Sequence, residues 1–227
     1  VTLSVAGRDG AGVNFAITEA GTGAITAGSL VVNSTYSTAG DTVTTNLNGA
    51  NAVGAFSGTW AAGPNNDIVF NNGTTALALG TFTNIRNFTV PNAGAITTTG
   101  GSTFTGALSL TSATSTVNLS NAMTAAGVTL NGTNVTVGAL LTSTGAVGIT
   151  STSTAAGIGI NLPANISAAG QTVTLNVAGR DGAGVNFAIT EAGTGAITAG
   201  SLVVNSTFAG AGTVTTNLNA ANAVGAF

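Results

Sequence analysis

With 227 residues, 44% of them hydrophobic and only 4% charged, the chain lies far from the usual soluble composition, in which about a quarter of residues carry charge. A net charge of −3 and a mean hydropathy of +0.48 exclude disorder, which goes with low hydrophobicity and high net charge. Three arginines (Arg8, Arg86, Arg180) with no Lys or His cannot neutralise a phosphate track, so no nucleic-acid partner is expected, and the lack of Cys removes disulfides and thiolate metal sites.

The first element governs the rest. Val5–Thr35 returns unchanged as Val177–Thr207, and the match continues, with one deletion near Gly210, to Phe56 and Phe227. Residues 5–56 and 177–227 therefore read as near-identical parts of successive units of roughly 171 residues, inside one continuous repetitive segment, 1–227. A chain that starts and stops inside such a pattern reads as a window on a longer array.

Residues 57–72 depart from this style. They hold the lone Trp60, a Gly63-Pro64 turn, two Asn pairs and Asp67, and are expected to form a longer corner or loop excursion around a strand at Asp67–Phe70. Phe82, Ile85, Phe88 and Val90 then resume the apolar pattern. Short alternating bursts follow, among them Val128-Thr-Leu130, Val135-Thr-Val137, Val147-Gly-Ile149, Val173-Thr-Leu175 and Leu202-Val-Val204. Alternation over three to five residues is a strand signal, and no window carries a capped helical stripe. No apolar run is long enough for a transmembrane helix, and the aromatic girdles of a membrane barrel are lacking.

The bursts have a longer rhythm. Val128, Val147, Ile166 and Val185 are evenly spaced at about 19 residues, and the large repeat is close to nine such intervals. The expected fold is all-β, a single-stranded parallel β-solenoid with rungs of about 19 residues, those four side chains stacked in one column. A duplicated unit would then contain whole rungs. Corners are expected at Asn71-Asn72-Gly73, Thr99-Gly100-Gly101 and Asn131-Gly132, and at Pro64, Pro91 and Pro163. Because Asn-Gly also starts hairpins, an antiparallel sandwich is the alternative. The lumen should be narrow, seldom admitting large aromatics, with stacked Asn side chains satisfying one another.

Two clusters are candidate recognition spots or inter-rung contacts. Arg8, Asp9 and Glu19, repeated as Arg180, Asp181 and Glu191, form either a binding spot recurring in every unit or a turn with a partly exposed ion pair. Trp60 and Asp67, with Tyr36, form either a sugar-stacking platform on an exposed corner or a structural feature; Tyr36 is Phe208 in the second copy, so its hydroxyl is dispensable there. Threonine segments such as Thr97–Thr99 and Thr142–Thr144 raise an ice-binding reading, which requires the pair at the same place in each rung. With no His, Cys or Lys for a base or nucleophile, no catalytic residue, cofactor or metal ligand is assigned; two carboxylates for glycoside cleavage leave a polysaccharide-processing enzyme as the least favoured alternative.

The short Val-Thr-Leu strands, the Gly-Asn corners, the Thr/Ser/Ala/Asn enrichment and the long duplication resemble the β-helical stalks of large bacterial exoproteins, namely autotransporter passengers and filamentous-haemagglutinin-like adhesins. Segments Gly94–Thr98, Thr116–Thr133 and Ala156–Val177 carry this likeness of style, which covers essentially the whole chain. It implies a right-handed coil, export from the cell, and adhesive or matrix roles. The expected function is a non-catalytic structural segment of an extracellular or cell-surface bacterial fibre, sheath or surface layer, with copies of itself as partners. The alternative is an adhesin stalk or carbohydrate-binding β-helix that meets cell-surface glycans.

Overall fold

The computed structural model describes residues 1–5, 15–19, 23–153, 155, 157–178, 187–207 and 214–227. Among them there is no helix, and the paired strands run parallel. The chain is a single-stranded parallel β-solenoid, as the alternation implied, and not an antiparallel sandwich. No helix among the described residues is long and apolar enough to cross a membrane.

A central rung shows the plan. Val117–Leu119, Met123–Ala125 and Gly127–Gly132 are three short strands separated by one-to-three-residue corners. Each pairs with its counterpart one rung on: Val135–Val137, Leu141–Ser143 and Val147–Ser151. Stacking builds three ladders. The first is a ten-stranded sheet; the second and third are joined into a thirteen-stranded sheet by the long strand Ile166–Val177, which pairs with both Leu141–Ser143 and Val147–Ser151. Ten strands at about 4.8 Å make a coil about 43 Å long.

Alternate residues point into the lumen and stack in columns. One runs Ile17–Thr45–Ile68–Phe88–Leu108–Val128–Val147–Val173–Leu202. Here the even rhythm needs correction. Val128 stacks on Val147, but Val147 stacks next on Val173, whereas Ile166 lies between Leu141 and Ile197 in another column. Val185 lies outside the described residues. The step is nearly constant from Phe88 through Leu108 and Val128 to Val147, and then lengthens on the way to Val173 and again to Leu202. The cause is local: the corner between Gly132 and Val135 becomes, one rung later, the span between Ser151 and Ile160. Corners on the surface accept insertions that the ladders do not.

The lumen also differs from the expectation. In the longer rungs that carry the chain from Leu30 to Phe56 and from Val43 to Asn66, Phe56, Trp60, Phe70 and Phe82 fill it. The Phe56–Phe70 and Phe82–Phe88 ring centroids lie 4.4 and 4.5 Å apart. Aromatics are therefore not rare inside, and Phe88 and Phe104 carry the stack on into the shorter rungs. Further on, Val, Leu and Ile suffice: Val117, Leu119, Leu130, Val135 and Val137 are fully buried.

Segment 57–72 is not an excursion. Residues 57–60 end the strand Ala52–Trp60, a bend spans 62–64, and Asn65–Phe70 pairs in register with Thr42–Leu47. Its Asn pairs look loop-like in sequence but serve the corners. Asn72 is fully buried, its Oδ1 accepting from Val53 N (2.7 Å) and its Nδ2 donating to Val53 O (2.8 Å) and Thr75 O (3.1 Å). Asn92, one rung on, donates to Thr75 O and Gly94 O. Buried asparagines thus bond turn backbone rather than each other; a true side-chain pair is Asn205 to Asn176 (2.8 Å) on the outside. Pro64 and Pro163 lie in bends, but Pro91 lies within Asn87–Asn92, past the Val69–Thr89 pair where bonding to the preceding rung ends.

The two copies do not occupy equivalent places. Thr26–Ser34 belongs to the ten-stranded sheet, whereas its counterpart in Ile197–Ser206 belongs to the thirteen-stranded one; for Phe15–Thr18 and Phe187–Thr190 the assignment is reversed. The unit therefore does not contain a whole number of rungs.

Candidate functional site

Arg8, Asp9, Arg180 and Asp181 lie outside the described residues. Their carboxylate neighbours are placed. Glu19 Oε2 accepts from Gly49 N (2.6 Å) and Asn51 Nδ2 (3.2 Å), while Asn51 Oδ1 accepts from Ile25 N (2.6 Å). Glu191 repeats this: Oε2 accepts from Ala220 N (2.8 Å) and Asn222 Nδ2 (3.1 Å), and Asn222 Oδ1 accepts from Ile197 N (2.6 Å). Each glutamate clasps the corner of the next rung. The clasp is the same in both copies although the ladders differ, so it is a local, self-sufficient unit. In each, Oε1 is buried without a hydrogen-bond partner among the described residues.

The exposed platform at Trp60 is not formed. Trp60 is fully buried and Tyr36 is 3% exposed, because the strand's inward alternation carries Phe56, Gly58 and Trp60 into the lumen. Gly58 is required there: a Cβ would stand 2.1 Å from Val32 O and 2.6 Å from the indole. Tyr36 donates to Asp41 Oδ2. The second copy has Phe208 in place of Tyr36 and is one residue shorter before Thr213, with no counterpart of Asp41. Donor and acceptor disappear together, a pairing that the two sequences alone could have revealed.

Asp67 is on the outside, separated from Trp60. Its Oδ1 accepts from Arg86 Nε (2.9 Å) and Asn87 Nδ2 (3.0 Å), and Oδ2 from the Arg86 guanidinium; Asn87 Oδ1 in turn accepts from Ala107 N (2.9 Å). The hydrogen bond and charge of Asp67 raise the Arg86 pKa above its ordinary value. Arg86 was the missed partner, and the signal was its spacing from Asp67, one central rung. Both groups are engaged with each other, so the cluster ties three rungs together.

A groove of about 590 Å³ crosses three rungs. Its walls carry Thr81, Thr83, Asn84, Thr103, Thr105 and Thr124, with Gly101 and Ala122 leaving it open. Composition gave no sign of it, since threonine is everywhere in the chain; only register gathers these residues. The Thr-x-Thr segments do not form one array: Thr97 lies on the first ladder, paired with Asn118, and Thr142 on the second, paired with Thr124. Among the described residues no group of three His, Cys, Asp or Glu side chains is placed to hold a metal ion.

Comparison with protein families, with characterised proteins and with solved structures finds no match. What the structure shows in common with β-helical exoproteins is the architecture alone: a repetitive, all-parallel, helix-free solenoid.

Proposed function

We propose that this chain is a non-catalytic structural segment of an extracellular or cell-surface bacterial fibre, sheath or surface layer, in which coils lie side by side. The observation that carries this reading is the outward file Thr97–Asn118–Thr136–Asn161–Thr190–Asn217, one uncharged hydroxyl or amide on each of six rungs. A neutral file lets like coils approach without self-repulsion. Apart from Asn161 Oδ1, which is buried, its donors and acceptors recur at the rung spacing of about 4.8 Å, so neighbouring coils can meet in step. Backbone bonding from rung to rung along the axis suits a load-bearing or spacing element. Likeness to exoprotein stalks supports the location outside the cell.

Sedimentation and electron microscopy of the purified chain over rising concentration test this. The expected result is lateral bundles that persist as salt is raised, since screening acts on charges and not on neutral contacts. A chain that stays monomeric throughout, or bundles that dissolve in salt, would overturn the reading.

A further inference from the structure

The geometry points to the three-rung groove as a binding site for a neutral, linear polysaccharide, a role that does not depend on whether coils associate. Among the described residues no charged side chain lines it, which leaves phosphates, metal ions and charged peptides without a counter-charge. What it offers is hydroxyl groups beside γ-methyls, a mixed polar and apolar surface suited to a sugar ring, which presents hydroxyls at its edge and C–H groups on its faces. At about 590 Å³ it is of ligand-site size.

The groups are also set in advance. Thr103 and Thr124 are in register on adjacent strands, and Thr81 and Thr83 flank Phe82, whose N–H is held by Ser102 Oγ (2.9 Å). Threonine is stiff at χ1, so its hydroxyl loses little freedom on binding. Asn84 is the one described non-glycine residue with positive φ (58°). It is anchored by Nδ2 donating to Trp60 O (2.7 Å) and by its carbonyl accepting from Asn66 Nδ2 (2.6 Å), so its conformation at the rim is held by two residues of the preceding rung. Backbone conformations of this kind gather at functional positions. Beyond the groove the file continues through Thr142, Ser167 and Thr198, which extends the track along the coil axis. A chain-like ligand lying on that track makes many weak contacts whose effects accumulate.

The test is NMR titration of the whole chain with three probes, cellohexaose, xylohexaose and chitohexaose, against oligogalacturonate as a charged comparator. At least one neutral probe is expected to bind and to shift the amides of Gly101 to Thr105. The double substitution Thr103→Val and Thr124→Val, which removes two hydroxyls at constant shape, should weaken that binding about tenfold. Thr129→Val with Thr174→Val, on the third ladder, should leave it unchanged. Thr105→Val alone serves should the first pair disturb the fold. No binding of any neutral probe, tighter binding of oligogalacturonate, or equal losses in both double variants would overturn the assignment. Bundling in the sedimentation assay would be unaffected by any of these outcomes.

Discussion

Replacing Asn72 by Ala tests what holds the corners. Asn72 is fully buried and makes three hydrogen bonds, two to Val53 and one to Thr75. Truncation leaves the Val53 N–H without its acceptor and the Val53 carbonyl without this donor, while Thr75 O keeps its bond from Asn92 Nδ2. A buried polar group left unsatisfied costs about 1–3 kcal/mol, so the loss should be about 3–5 kcal/mol once partial relaxation is allowed. In a stacked coil that loss is local, since each rung touches only its neighbours. Hydrogen exchange is the appropriate assay. Protection of amides around Val53 and Thr75 should fall by two or more orders of magnitude, while protection around Val128 to Leu130 stays as it was. A fall equivalent to less than about 1 kcal/mol at Val53 would refute the view that side-chain amides, and not the turn backbone, carry the corners.

The unequal rungs predict a cross-linking pattern that the cysteine-free chain makes clean to read. Cysteines replacing Gly148 and Thr174, or Thr142 and Ser167, face each other on adjacent strands at about 5 Å and should form disulfides on oxidation; Gly148 with Ser167, the pair that evenly spaced rungs would align, should not. Gly145→Val should unfold at least its own rung, because even a Cβ would stand 1.9 Å from Ala126 O; an unchanged exchange pattern there would count against so close an approach. Arg86→Ala, by contrast, should cost no more than about 1 kcal/mol in denaturant unfolding, since its pair with Asp67 is partly open to solvent and screened; a larger loss would mean that the pair is effectively shielded from solvent.

Much of the fold was legible because a strand needs only a local signal. Val128-Thr-Leu130 and Val135-Thr-Val137 alternate as lumen-facing strands do, and Asn71-Asn72-Gly73 marks a corner whose Gly73 has φ of +59°. Rung length was not legible, because the chain writes strands and corners in the same small alphabet. The recurrence of Val128 and Val147 was a register; that of Ile166 was a coincidence of spacing across a lengthened corner. Trp60 was misread for a related reason: polar Asn pairs around it suggested surface, yet Asn66 and Asn72 are buried and bond backbone. The groove was beyond sequence reading altogether, since it depends on which threonines share a file.

The displaced second copy shows what such a coil requires of its sequence. Leu30 and Val32 are wholly buried on the first ladder, and Leu202 is buried on another, although the stretches are identical. A ladder does not distinguish them, because all three ask for the same thing: apolar residues at alternate positions, turned inward, against similar residues one rung away. What must travel with a duplicated piece is its internal corner, and the glutamate clasp does travel, from Glu19–Asn51 to Glu191–Asn222. Duplication is therefore not limited to whole rungs. A unit ending at any corner can be inserted if its strands keep their inward parity, and the surplus or deficit of residues is absorbed where the surface allows it, as between Ser151 and Ile160. The outer files are then reshuffled at each junction, so the lateral contact proposed above would depend on uncharged side chains being interchangeable and not on any one residue recurring.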